Sequence, residues 1–249
     1  MPKHESLEEY KKYVAQRLES LREVFARASI GDYSQNVVIP DTDDEFTDLA
    51  AGVQVMVEVI RQRIAELENE IAERKRIEEQ IRHQALHDSL TGLPNRKAFE
   101  ERFEVALARS RRYGEKLGIL YLDLDHFKQV NDVMGHQVGD LLLVEFANRL
   151  GRTIREEDIL ARLGGDEFII VIMEVRQKSD IEVVIKRIEA VLKNPVRVNS
   201  HNIFLSTSIG VAVFPDDGQD ILSLIANSDS ALLEAKNSGR NQHRYFGKN

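Results

Sequence analysis

The sequence predicts an α+β domain, a central and mainly antiparallel sheet with helices against it, preceded by a long helical segment. Three observations lead there. The pattern changes near residue 87, from long helical periodicity to short apolar runs alternating with helical ones. Those short runs follow the order β-α-β-β-α-β with additions. Hydrophobic residues are 42% of the 249 positions and charged residues 31%, enough apolar material for a sizeable core.

Residues 5–28 carry helical spacing. Gly31-Asp32-Tyr33-Ser34, Val37-Val38-Ile39-Pro40 and Asp41-Thr42-Asp43-Asp44 follow as a connector rich in turn formers. A second helix starts near Asp44, whose carboxylate can cap it. Its apolar positions are Phe46, Leu49, Val53, Met56, Ile60, Ile64, Leu67 and Ile71. The steps of three and four, with one extra four, make a heptad seam with a stutter. So narrow a stripe on so long a helix needs a cover. A parallel coiled-coil dimer provides one, and an antiparallel helical hairpin within one chain is the alternative.

Past the break, residues 95–112 read as a helix and Lys116–Leu124 as a buried strand ending in carboxylates. Residues 136–154 read as a helix, and Ile159–Leu163 and Glu167–Met173 as two strands about a glycine turn. Helices are expected at 179–193 and 219–236, a strand within Ile203–Phe214, and a short last strand at Arg244–Phe246.

Composition narrows the function. A net charge of −8 disfavours a general nucleic-acid or anionic-membrane binder. With no cysteine, disulfides, thiolate zinc sites and cysteine nucleophiles are excluded. No apolar run approaches the roughly 18 residues of a transmembrane segment, and the N-terminus lacks a signal-peptide stretch, so a cytoplasmic location is expected.

Three clusters carry chemistry. Asp123 and Asp125 point the same way at the end of a strand, where a hard cation such as Mg²⁺ would compensate them. They could equally cap the following helix. Arg162-Leu163-Gly164-Gly165-Asp166-Glu167-Phe168 places two acids at a hairpin tip, where glycines allow a ligand to approach the backbone. Ordinary turn formation accounts for the same residues. Phe127-Lys128-Gln129-Val130-Asn131-Asp132 through Gly135-His136-Gln137-Val138-Gly139-Asp140 adds a cation, an amide, an imidazole and a carboxylate. A helix N-terminus there could hold phosphate oxygens, and Asn131 and Asp140 could read a base edge. Singly, each residue is also a good cap or turn former.

Taken together, Gly164-Gly165-Asp166-Glu167-Phe168 resembles the signature of the GGDEF domain, the diguanylate cyclases. The likeness runs from about His87 to Phe246. It is supported by Asp88-Ser89-Leu90-Thr91-Gly92-Leu93-Pro94-Asn95-Arg96, by the Asp123-to-Asp140 stretch, and by Ala235-Lys236-Asn237-Ser238-Gly239-Arg240-Asn241. The resemblance implies a fold similar to the polymerase palm and the class III nucleotide cyclases. It implies condensation of two GTP into cyclic di-GMP and two pyrophosphates with Mg²⁺, or Mn²⁺ in its place. Asp123 and Asp166 match the side-chain metal ligands and Leu124 a backbone one. Asp166, Glu167 and Lys128 match the catalytic set, with Glu167 as base or metal organiser at the 3′-hydroxyl. Phe127, Lys128, Lys236 and Arg240 match the triphosphate grip, and Asn131 and Asp140 the guanine readers. His136 lies near sugar and base, and Gly164 and Gly165 at the substrate turn.

Arg155-Glu156-Glu157-Asp158 matches the family's RxxD site, where cyclic di-GMP inhibits as product. A charged helix end is the plain alternative. The N-terminal segment resembles a HAMP module, against a generic helical dimerisation stalk. The expected divisions are a helical HAMP-like module at 1–65, a coiled-coil helix at 66–86 and the GGDEF domain at 87–249, working as a homodimer through the N-terminal helices. A catalytically inactive sensor of cyclic di-GMP or GTP, or a structural adaptor, would account for the coiled coil without chemistry.

Overall fold

A computed structural model describes residues 6–39, 45–198 and 201–247, and divides into two units, Met1–Gln80 and Ile81–Asn249. The expected cap Asp44 and the connector residues 40–43 lie outside the described residues.

In the first unit, helix α1 (Leu7–Ala28) starts at Ser6, whose hydroxyl accepts the Glu9 N–H at 3.3 Å. Helix α2 (Glu45–Leu86) runs through this unit and into the next. Leu21 and Val24 of α1, Val37 of the connector, and Ala50, Val53 and Val57 of α2 form a small core. Two polar side chains of α2 strap the connector down. The Gln54 carbonyl oxygen accepts the Val37 N–H at 2.8 Å, and the Arg61 guanidinium donates to the Tyr33 and Gln35 carbonyls and to Asn36 Oδ1. The expected seam is therefore divided. Val53 turns into the intrachain core, while Leu49, Met56, Leu67 and Ile71 stay about half exposed.

The second unit follows the expected α+β order. Its strands are β1 (Lys116–Leu124), β2 (Ile159–Gly164), β3 (Glu167–Val175), β4 (Val196–Val198), β5 (His201–Ile203), β6 (Thr207–Phe214) and β7 (His243–Tyr245). Its further helices are α3 (Arg96–Tyr113), α4 (Phe127–Met134), α5 (His136–Gly151), α6 (Lys178–Leu192) and α7 (Ile221–Asn237). The main sheet runs β2-β3-β1-β6-β7, antiparallel except for the β6–β7 pair. β1 lies in the middle, with its last eight residues buried, because each face of the sheet carries its own core. Leu120, Leu122 and Leu124 pack with α5 and α6, while Leu117, Ile119 and Tyr121 pack with α3 and α7. Three elements escaped the sequence reading. Residues 127–134 form a separate short helix, and β4 and β5 pair in a two-stranded ladder of their own. Among the described residues no helix is long and apolar enough to cross a membrane.

Candidate active site

The pairing register assembles the site. β1 and β3 place Asp123 opposite Glu167, and β2 and β3 place Gly164 opposite Glu167. Gly165 and Asp166 thus make the connection between β2 and β3, with Gly165 left-handed at φ 53°. The Asp166 carbonyl accepts the Leu124 N–H at 3.3 Å, which ties the hairpin tip to the end of β1. Asp123, Leu124, Asp166 and Glu167 therefore meet where two strands end, from positions more than 40 residues apart.

Asp123 is 8% exposed, and its Oδ2 lies 2.7 Å from Lys236 Nζ in the last turn of α7. Burial pushes its carboxyl above the ordinary carboxylate range, and the Asp166 and Asp125 charges add to this against the pull of Lys236. Tyr121, two residues earlier on the same face, is pushed up to about 12, first by burial and then by the Glu167 charge. The corner is an acid cluster short of positive charge.

Asp125 behaves differently from the expected cation-facing pair. It is buried and takes hydrogen bonds from the Ser206 and Ser208 hydroxyls and the Asn241 N–H.

Phe127 and Lys128 open α4 directly after β1, behind His126, which stands left-handed at φ 60° and gives the helix no side-chain cap. Asn131 sits one turn later, half-buried, with its Oδ1 enclosed and without a hydrogen-bond partner. Gly139 of α5 faces it so closely that a Cβ there would lie 1.9 Å from that oxygen. His136 opens α5 and Asp140 follows one turn later, both exposed. Arg240 is exposed in the loop after α7.

One buttress was missed. Arg162, 9% exposed, donates to the Gly165 carbonyl at 3.0 and 2.7 Å and to Asp88 Oδ1 at 2.7 Å. Asp88 also accepts from the Thr91 N–H and hydroxyl. Burial pushes the Asp88 carboxyl up, but the bonds from Thr91 and Arg162 outweigh this and hold it below the ordinary range. The signal was Arg162 itself, a cation in an apolar strand beside the glycine turn.

Arg155 and Asp158 lie just before β2, at the end away from the glycine turn; Asp158 is six residues from Gly164, about 20 Å along an extended chain. They line a cleft of about 260 Å³ with Arg176, Asp180 and Arg187, two further arginines that the sequence reading did not include. Arg155 is exposed, whereas both Asp158 oxygens already accept backbone N–H groups, from Arg155 at 2.9 Å and Met173 at 3.0 Å.

Comparison with known proteins places the domain in a family. Residues 85–242 match the family model described as "Diguanylate cyclase, GGDEF domain". The chain belongs to the GGDEF family. It is 42% identical over 162 residues to the bifunctional diguanylate cyclase/cyclic di-GMP phosphodiesterase MucR of Pseudomonas aeruginosa, covering 65% of this chain and 24% of that one. The chain thus spans about a quarter of that relative's length. The crystal structure of the coiled coil and GGDEF domain of DgcB from Caulobacter crescentus, in complex with c-di-GMP, superposes with a TM-score of 0.68 at 30% identity, over 75% of this chain and 98% of that one. The diguanylate cyclase SiaD of Pseudomonas aeruginosa, in complex with its activator SiaC, matches over 98% of this chain and 91% of that one, with a TM-score of 0.61 and 30% identity.

Proposed function

We propose that this GGDEF protein is a diguanylate cyclase, joining two GTP into cyclic di-GMP with release of two pyrophosphates. The observation that carries the reading is the convergence of Asp123, Asp166, Glu167 and Lys236 where β1 and β3 end, beside an uncapped helix N-terminus. An inactive sensor would have no need of this intact cluster.

The donor set suits Mg²⁺. Asp123, Asp166 and the Leu124 carbonyl offer only hard oxygens, and burial leaves the Asp123 carboxylate in want of a cation. Among the described residues no group of three or more His, Asp or Glu could hold a metal alone, so nucleotide phosphates would complete the shell. When bound, Mg²⁺ or Mn²⁺ would neutralise charge on the α-phosphate and the leaving pyrophosphate. Lys128, Lys236 and Arg240 would hold the triphosphate, with the α4 backbone at Phe127 adding N–H donors. The Asn131 side-chain amide and the Asp140 carboxylate would pair with the guanine edge, with His136 beside the sugar and base. Glu167 would take the 3′-hydroxyl proton as the oxygen attacks the α-phosphate of the second GTP. Gly164 and Gly165 leave the hairpin tip open to the nucleotide.

One domain holds one GTP, so the attacking hydroxyl comes from a second copy. The uncovered stripe of Leu49, Met56, Leu67 and Ile71 supports a homodimer through the N-terminal helices, in a HAMP-like and coiled-coil arrangement. Orientation of the two half-sites is worth about 7–11 kcal/mol in well-aligned reactions, so this stalk could govern the rate. The whole-length likeness to SiaD makes a protein activator part of the proposal. Cyclic di-GMP would inhibit at Arg155 and Asp158, with Arg187 and Arg176 able to pair with guanine or phosphate. A cytoplasmic setting fits these ligands.

The test is incubation of purified protein with GTP and Mg²⁺, with the product identified by mass and the rate followed against protein concentration. Cyclic di-GMP formed with a more than linear dependence on concentration supports the reading. GTP bound but never converted would instead favour the sensor.

A further inference from the structure

We propose that Asp125 is a positioning residue that fixes the loop carrying Arg240, and so sets the basic half of the site against the acidic half. This rests on the reading of Lys236 and Arg240 as the triphosphate grip.

Asp123 and Asp125 share a face at the end of β1 but have different company. Asp123 looks at Lys236 and Asp166. Asp125 is 8% exposed and already spoken for: its Oδ1 accepts from Ser208 Oγ at 2.7 Å, and its Oδ2 from Ser206 Oγ at 3.0 Å and the Asn241 N–H at 2.9 Å. The two serines anchor the carboxylate to the start of β6. Asn241 is the far end of the clamp, in the loop between α7 and β7.

That loop is held against its own preference. Arg240 and Asn241 are consecutive left-handed residues, φ 60° and 48°, and neither is glycine. Asparagine accepts that conformation readily and arginine does not. Local bonds supply part of the restraint. The Arg240 N–H reaches the Ala235 carbonyl at 3.1 Å, and the Gln242 amide donates to the Ala235 and Ser238 carbonyls at 3.1 and 2.7 Å. These bonds shape the loop on α7, and the Ile209 N–H of β6 donates to the Gln242 carbonyl at 3.0 Å, so they hold the end of the loop to the sheet but not Arg240 and Asn241. The Asp125 bond to Asn241 ties the neighbour of Arg240 to the residue just past β1, the strand that bears Asp123. One strand then spaces the acids from the cation that shares the nucleotide with them.

The experiment uses the full chain with Asp125→Ala, Asp125→Asn, Arg240→Ala and the Asp125→Ala/Arg240→Ala double variant. Amide exchange at Asn241 is read by NMR, and KM and kcat for GTP are measured alongside. In Asp125→Ala the Asn241 amide should exchange at least about tenfold faster and KM should rise about tenfold, since a buried charged acceptor is lost. Asparagine can keep its oxygen on Asn241 and Ser206 and donate its NH₂ to Ser208, whose hydroxyl can turn to accept. Asp125→Asn should therefore restore slow exchange and bring KM within about threefold of the parent. The double variant should have a KM no higher than Arg240→Ala alone, the non-additivity expected when one residue acts through the other.

Unchanged exchange at Asn241 in Asp125→Ala overturns the clamp. So do fully additive KM effects. If Arg240→Ala alone leaves KM unaltered, the triphosphate reading has failed, and Asn241 exchange still decides the clamp by itself. Should Asp125→Ala not fold, Asp125→Ser, too short to reach Asn241, takes its place with the same outcomes.

Discussion

Replacing Gly139 with alanine separates folding from nucleotide recognition. Gly139 is inside α5, where its backbone is helical, so alanine gains about 0.5–1 kcal/mol of helix preference. The new Cβ would lie 1.9 Å from Asn131 Oδ1, 3.0 Å from Asn131 Cγ and 3.2 Å from Phe127 Cε2. The first distance is far inside contact, so the Asn131 amide must swing away, at a rotamer cost of about 0.5–1.5 kcal/mol. The Asn131 oxygen makes no hydrogen bond that this displacement would break. The two terms nearly cancel, and the melting temperature should stay within a few degrees of the parent. Recognition has no such compensation. A guanine that loses its Asn131 partner forfeits about 1–3 kcal/mol, a 5- to 150-fold weaker affinity. Calorimetric titration of a non-hydrolysable GTP analogue with Mg²⁺, beside a thermal melt, reads both quantities. Undiminished affinity in a folded Gly139→Ala protein would refute the assignment of Asn131 to the base. In an Asn131→Ala background the glycine substitution should have no further effect on affinity.

Further expectations concern the rest of the molecule. Asp123→Ala or Asp166→Ala should abolish cyclic di-GMP formation while sedimentation still shows the parent's oligomer; near-normal turnover in either would remove the metal assignment. Arg155→Ala should shift the inhibition curve for added cyclic di-GMP to higher concentration, and superimposable curves would end the product-site reading. Asp88→Asn strips Arg162 of its carboxylate and should cost about 1.5–3 kcal/mol, seen as a lower melting temperature. Because the Asp88 carboxyl is held below its ordinary range, its contribution is present above the unfolded carboxylate range near pH 4 and is lost as pH falls through the depressed value. Acid melts of parent and Asp88→Asn should therefore converge as pH falls, and a gap that persists at low pH would argue against the charge pair. Glutamate at both Leu67 and Ile71 should weaken self-association, and lower activity at fixed protein concentration, if the exposed stripe of α2 meets a second copy.

Periodicity was enough to read the order of the longer helices and the main-sheet strands, the strand ends bearing Asp123 and the Gly164-Gly165 turn, because burial on both faces writes β1 and β3 as apolar runs; the short α4, β4 and β5 were not read. The spaced motifs were likewise enough to identify the family. What distinguishes Asp123 from Asp125 was not legible, since both are strand-end acids two positions apart. Only pairing with β6 and the approach of the Asn241 loop give one of them three donors and leave the other facing Lys236 and Asp166. Arg162 likewise found its partners 74 residues away and across a turn. Val53 looked like part of a seam along α2, yet the connector folds back and buries it, while Leu67 and Ile71 stay open. Local patterning depends on neighbours along the chain and survives in the sequence. The partner of a buried polar group depends on which segments pack together, and that is settled only when the sheet closes its register.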